Sequence, residues 1–176
     1  MNRIPFGNSG LEVSELCVGT MVFGSSCDEA ESGRILSAAI ERGADFLDTA
    51  EAYEHGEGEA LLGRVLKGRR DKVLLATKVR AGTAAEDFAA HLDGSLQRLQ
   101  TDHVDFYLVH WPGEGMNPRQ TMSALNDACV AGKTRAVGCC NFPAWLVEHC
   151  NAIAAVEGWP LLTCNQIPYN LVERGV

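Results

Sequence analysis

Short apolar runs alternate along this chain with longer stretches of helical periodicity. Leu16 to Thr20, Ala44 to Asp48, Val73 to Val79, Val104 to His110, Thr134 to Cys139 and Leu161 to Ile167 each read as a buried, near-continuously apolar strand. Between them, five segments repeat apolar residues every three or four positions, which predicts helices. The first carries Ile35, Leu36, Ala39 and Ile40 on its inner face and runs to about Arg42. Ser26 with Glu29 offers it a capping box, with Asp28 as a rival cap. The second carries Leu61, Leu62, Val65 and Leu66. The third carries Phe88, Leu92, Leu96 and Leu99 behind a cap at Thr83. The fourth opens at Asn117-Pro118 and turns Met122, Leu125 and Cys129 inward. The fifth opens at Asn141 and Pro143 and carries Leu146, Ile153 and Val156. Gly43, Gly68, Gly132 and Gly158 stop the first, second, fourth and fifth. Residues 2 to 13 differ: partly alternating arms around Asn8-Ser9-Gly10 predict a hairpin.

Strand and helix in strict alternation predict a parallel α/β fold. An open doubly wound sheet and a (β/α)8 barrel of the TIM type compete. The first strand-to-helix turn, Thr20 to Ser26, has no G-x-G-x-x-G, which weakens the dinucleotide-fold reading. Strands two, three and four end in or next to titratable groups, Asp48, Lys78 and His110, and Tyr53 follows Asp48 by five residues. A barrel gathers such strand ends around one mouth, so the barrel is favoured. The expected organisation is one domain over residues 1–176, with a hairpin plug at 1–13 and six strand–helix units at 14–176.

Composition narrows the function classes. The chain has 176 residues and a formal charge of −8, with a pI near 5.1. No long basic run exists, so nucleic acid and anionic membrane are poor partners. The densest basic piece, Lys67 to Lys72, falls between a helix and a strand and reads as a solvated loop. No apolar stretch reaches the ~18 residues of a membrane span, and the N-terminus lacks the apolar core of a signal peptide. A cytoplasmic protein is the expectation. Seven cysteines without a C-x-x-C pair support neither a disulfide framework nor a metal site.

Read together, the motifs resemble the aldo-keto reductases. They are Phe6-Gly7-x-Ser9-Gly10-Leu11, Leu47-Asp48-Thr49-Ala50-x-x-Tyr53, Glu59-x-x-Leu62-Gly63, Thr77-Lys78 and Asp105-x-x-x-x-His110. Gly132-Lys133-x-Arg135-x-x-Gly138-x-x-Asn141-Phe142 and Asn165-Gln166-x-x-Tyr169-Asn170 complete the set, in the family's order. The resemblance implies reduction of aldehydes or ketones by hydride from NADP(H), with NAD(H) as the alternative. It makes Tyr53 the proton donor, Lys78 its tuning ammonium, Asp48 the partner of Lys78, and His110 the group that orients the substrate carbonyl. The residue types suit that chemistry. A phenol is a weak acid, with an ordinary pKa near ~10, and an adjacent ammonium stabilises its anion. The resemblance also implies cofactor contacts at Thr20, Asp48, Cys140, Asn141 and Gln166, and substrate contacts at Tyr53, His110 and Trp111. Met21, Phe23 and Trp111 are candidates for an apolar substrate wall. A regulatory, cofactor-sensing role and an inactive fragment are the alternative readings.

Two departures stand out. Cys140 occupies a position where the family commonly has serine, and a thiol is the weaker hydrogen-bonding group. In addition, a full barrel takes about 250 residues, so its last two strands are not expected here. In the family those parts grip the cofactor's phosphates and stack on its nicotinamide. Open edge strands would then favour self-association.

Overall fold

Strict alternation along each strand sorts the side chains of this molecule into two apolar layers, one on each face of a curled parallel sheet. The structure, a computed structural model, describes residues 1–175. Strands β1 (Arg3–Pro5) and β2 (Glu12–Ser14) form the antiparallel hairpin, with Ile4 opposite Val13. Six parallel strands follow: β3 (Cys17–Gly19), β4 (Phe46–Asp48), β5 (Leu74–Val79), β6 (Val104–Val109), β7 (Thr134–Cys140) and β8 (Asn165–Gln166). Five helices cross between them: α1 (Glu29–Glu41), α2 (Glu57–Val65), α3 (Phe88–Leu99), α4 (Pro118–Val130) and α5 (Ala144–Glu157).

Every strand pairs with the next in sequence, in the order β3-β4-β5-β6-β7-β8. The order never reverses, so there is no switch point of the doubly wound kind. The sheet is the first part of a TIM-type barrel, six strands and five crossover helices, as its sequence predicts. Strands β3 and β8 lie at its two edges.

The outer layer packs Leu47, Leu75, Tyr107, Val109, Val137 and Cys139 against the helices. The inner layer holds Phe46, Ala76, Phe106, Leu108, Ala136 and Cys140. The hairpin covers the lower inner face. The Phe6 ring sits 5.2 Å from that of Phe46 and 4.4 Å from that of Phe106. The Ser14 hydroxyl accepts hydrogen bonds from the N–H groups of Asp45 and Phe46, each at 3.1 Å. At the same end, buried Asp105 accepts from the Leu75 N–H at 2.8 Å and pairs with Arg70 and Arg135. These bonds brace the bottom of the sheet and leave the opposite rim open.

Helix α2 meets α3 at Gly63, where a Cβ would fall 2.5 Å from the Arg98 carbonyl oxygen. Only glycine allows that approach.

Several local expectations are corrected. Asp28, not Ser26, caps α1, accepting from the Glu31 N–H at 2.8 Å. Thr83 does not cap α3, which instead grows out of a 3-10 turn over Ala85–Asp87. Pro143, not Asn141, precedes α5, and Asn141 takes a left-handed conformation with φ +61°. Ile35 and Val156 face solvent, and the buried stripe of α5 is Leu146, Cys150 and Ala154. Residues four apart share a helix face, and Val156 lies half a turn beyond that stripe. The last strand contracts to Asn165–Gln166, because only those residues pair with β7. Among the described residues, no helix is long and apolar enough to cross a membrane.

Candidate active site

On β4 to β8 the inward positions carry even numbers, and at the rim they become Asp48, Lys78, His110, Cys140 and Gln166. Lys78 is the centre of this set. Its ammonium donates to the Asp48 carboxylate at 2.8 Å, to the Thr49 carbonyl at 2.8 Å and to the Tyr53 hydroxyl at 3.1 Å. An ammonium has three N–H groups, so all are engaged. The side chain is wholly shielded from solvent. Burial opposes its charge, but Asp48 and then Tyr53 outweigh burial and hold Lys78 above the ordinary lysine range.

Tyr53 reaches the site from the loop after β4. It opens a short 3-10 turn in which Glu54 and His55 both have positive φ, +46° and +56°, followed by Gly56 at +93°. Such conformations cost non-glycine residues about 1–3 kcal/mol each and persist only where neighbours impose them. The His110 ring stands edge-on to the Tyr53 ring, with centroids 5.8 Å apart. Burial first, and then the Lys78 ammonium, hold His110 below the ordinary imidazole value of 6.5, with Asp48 opposing. The imidazole is therefore neutral at pH 7.

The remaining sequence-predicted residues fall as follows. Asn141 donates from Nδ2 to the His110 carbonyl at 3.0 Å, which leaves its Oδ1 available as an acceptor. The Gln166 Oε1 accepts from the Cys140 thiol at 3.3 Å, which leaves the Gln166 amide nitrogen available as a donor. The backbones of Asn141 and Gln166 are themselves bonded, at 3.0 Å. One free acceptor beside one free donor is the complement of a carboxamide, so these residues fit a nicotinamide amide group. Cys140 is a neutral thiol, its pKa pushed up to about 12 chiefly by burial. Thr20 is fully buried and spends its hydroxyl hydrogen on the Asp48 carbonyl, at 3.0 Å. Met21 and Trp111 are exposed at the rim, whereas Phe23 is 2% exposed and belongs to the core rather than to a substrate wall. Trp111 lines a cavity of about 220 Å³ between the loops that follow β5 and β6.

A wider cavity, about 1110 Å³, lies at the bottom end among Arg3, Asp45, Arg70, Asp105 and Arg135. Its arginines are paired with its aspartates, and it is remote from Lys78.

Sequence reasoning gave no role to two buried carboxylates near the rim. Glu51 accepts from the Arg80 N–H at 3.3 Å and meets His91 Nδ1 at 2.7 Å. Glu59, fully buried, accepts from the Thr77 hydroxyl at 2.5 Å and from Arg98 at 2.8 Å. The available signal was Glu59 and Arg98 on faces that otherwise bury leucines.

Comparison with known proteins follows the same lines. The sequence model of the Aldo/keto reductase family matches residues 15–176. Aldo-keto reductase YhdN of Bacillus subtilis is 35% identical over 99% of this chain and 55% of its own length. Norsolorinic acid reductase B of Aspergillus parasiticus is 33% identical over 94% of this chain and 50% of its own. A thermostable aldo-keto reductase solved with the inhibitor epalrestat superposes with a TM-score of 0.88 at 32% identity, covering 99% of this chain and 65% of that one. The chain thus spans about half the length of the curated relatives it matches.

Proposed function

The chain belongs to the aldo/keto reductase family, and from that premise we propose that its rim reduces aldehydes or ketones to alcohols with hydride from NADP(H), or alternatively NAD(H). One observation carries the reading: a fully buried lysine whose three hydrogens go to a carboxylate, a backbone carbonyl and a phenol.

Reduction of a carbonyl puts hydride on carbon and leaves an alkoxide that needs a proton. The nicotinamide cofactor supplies the hydride when bound. Tyr53 gives its hydroxyl proton to the alkoxide oxygen. The phenolate left behind stands 3.1 Å from the Lys78 ammonium, which stabilises it. Asp48 keeps that ammonium charged and aimed. Neutral His110 donates a hydrogen bond to the carbonyl oxygen and fixes its direction. Asn141 and Gln166 would hold the nicotinamide amide, with Cys140 restraining Gln166. Trp111 and Met21 offer apolar surface to the substrate.

The test is NADPH and NADH oxidation by the purified chain, followed at 340 nm across a panel of small aldehydes and ketones. Oxidation that requires the carbonyl compound is expected. Absence of turnover on the whole panel, together with unchanged NADPH fluorescence, would overturn the proposal.

A further inference from the structure

The loop that carries Tyr53 holds three successive residues at positive φ, Glu54, His55 and Gly56. Something must impose that shape. Beneath Gly56 lies the side chain of Arg98, from the last turn of α3. A Cβ at position 56 would stand 2.9 Å from Arg98 Cδ and 3.0 Å from its Nε. The arginine is itself fixed: Nε donates to Glu59 at 2.8 Å, and a terminal nitrogen donates to the Ser95 hydroxyl at 3.2 Å. Glu59 is fixed in turn by the Thr77 hydroxyl at 2.5 Å. Thr77 directly precedes Lys78 on β5, its side chain on the outer face while Lys78 points inward.

A continuous chain of contacts therefore runs from the Tyr53 loop to the strand that carries Lys78: Gly56 packs on the Arg98 side chain, and hydrogen bonds link Arg98 to Glu59 and Glu59 to Thr77. It passes behind the sheet and touches neither rim nor solvent at Glu59 and Thr77, both wholly buried. A buried carboxylate needs partners on both oxygens. Here each oxygen has one, and the two partners belong to two different elements.

Building on the reductase reading above, we infer that Arg98, Glu59 and Thr77 are positioning residues, which set the Tyr53 hydroxyl at its 3.1 Å distance from the Lys78 ammonium. The three act through Tyr53 and Lys78 and contact neither substrate nor cofactor. Packing alone would tolerate an apolar replacement of matching shape. A positioning role requires the hydroxyl and the guanidinium fork themselves.

Thr77→Val removes the hydroxyl and keeps the shape; Thr77→Ser keeps the hydroxyl. In protein labelled with 13C at tyrosine Cζ, the Tyr53 signal is identified by its loss in Tyr53→Phe. The expected result is that Thr77→Val and Arg98→Met move the Tyr53 signal, leave that of exposed Tyr169 in place, and that Thr77→Ser restores it. Alongside, kcat is expected to fall about tenfold or more with KM within about twofold. An unmoved Tyr53 signal in folded Thr77→Val and Arg98→Met overturns the inference. So does a Thr77→Ser protein that behaves like Thr77→Val. If Thr77→Val does not fold, Arg98→Lys decides by the same signal, because it keeps the charge on Glu59 and loses the fork. The resonance is read without turnover, so a chain inactive on every carbonyl would count against the reductase reading alone.

Discussion

Lys78 and Asp48 stand thirty residues apart in the chain, yet the ammonium of one lies 2.8 Å from the carboxylate of the other. The register of β4 against β5 brings this about, with Asp48 opposite Ala76 and Lys78 one inward position further along. Lys78 has no exposure to solvent, so its charge depends on the partners that surround it.

Removal of the ammonium alone should therefore be costly. Lys78→Met keeps most of the stem volume but leaves the Asp48 carboxylate and the Thr49 carbonyl without their donor. A loss of about 3–5 kcal/mol is expected in urea unfolding, since a broken buried pair leaves an uncompensated charge. Pairing it with Asp48→Leu should recover much of that loss while leaving the protein inactive. A Lys78→Met protein as stable as the parent would contradict the buried pair.

His110 predicts an acid-side dependence. Its folded pKa is depressed below 6.5, so the unfolded chain binds its proton first as pH falls. The contribution of neutral His110 to stability is complete above about pH 6.5 and is lost as pH falls through the lower, folded value. Denaturant midpoints measured across that range should decline less steeply in His110→Gln than in the parent. An identical decline would remove His110 from the buried cluster.

The Lys78 pair predicts the opposite flank. Its pKa is raised in the fold, so its stabilisation is present below about pH 10.5 and is lost only as pH rises through the higher, folded value. Lys78→Met should flatten that alkaline decline, measured by the same titration of midpoints.

Gly63→Ala tests how α2 is seated. The added Cβ would meet backbone on α3, 2.5 Å from the Arg98 oxygen and 2.7 Å from the Leu99 carbonyl carbon. Helix α2 must move away, at about 1–3 kcal/mol, visible as a lowered melting temperature. No change would mean that the two helices are not in backbone contact.

The rim was legible in the sequence because strand parity and strand ends are. Asp48, Lys78 and His110 each sit at or beside the last position of an apolar run, and all have inward parity with Phe46, Ala76 and Leu108. Gln166 follows by the same count. What remained hidden depends on side-chain reach across elements. Glu51 and His91 meet over forty positions of chain, and Glu59 joins Thr77 and Arg98 from three separate elements. No local pattern encodes such pairs. Helix caps were misread where two candidates lay within a few residues. Ser26 and Asp28 satisfy similar local rules, and the backbone of the preceding loop selects Asp28.

The central claim is that the Tyr53 hydroxyl delivers the proton. It is tested most directly by single-turnover NADPH oxidation with a small aldehyde, comparing the parent with Tyr53→Phe. Cofactor affinity within about twofold of the parent and hydride transfer slower by about 10²–10⁴-fold is the predicted result. A Tyr53→Phe protein that oxidises NADPH at the parent's rate would contradict it.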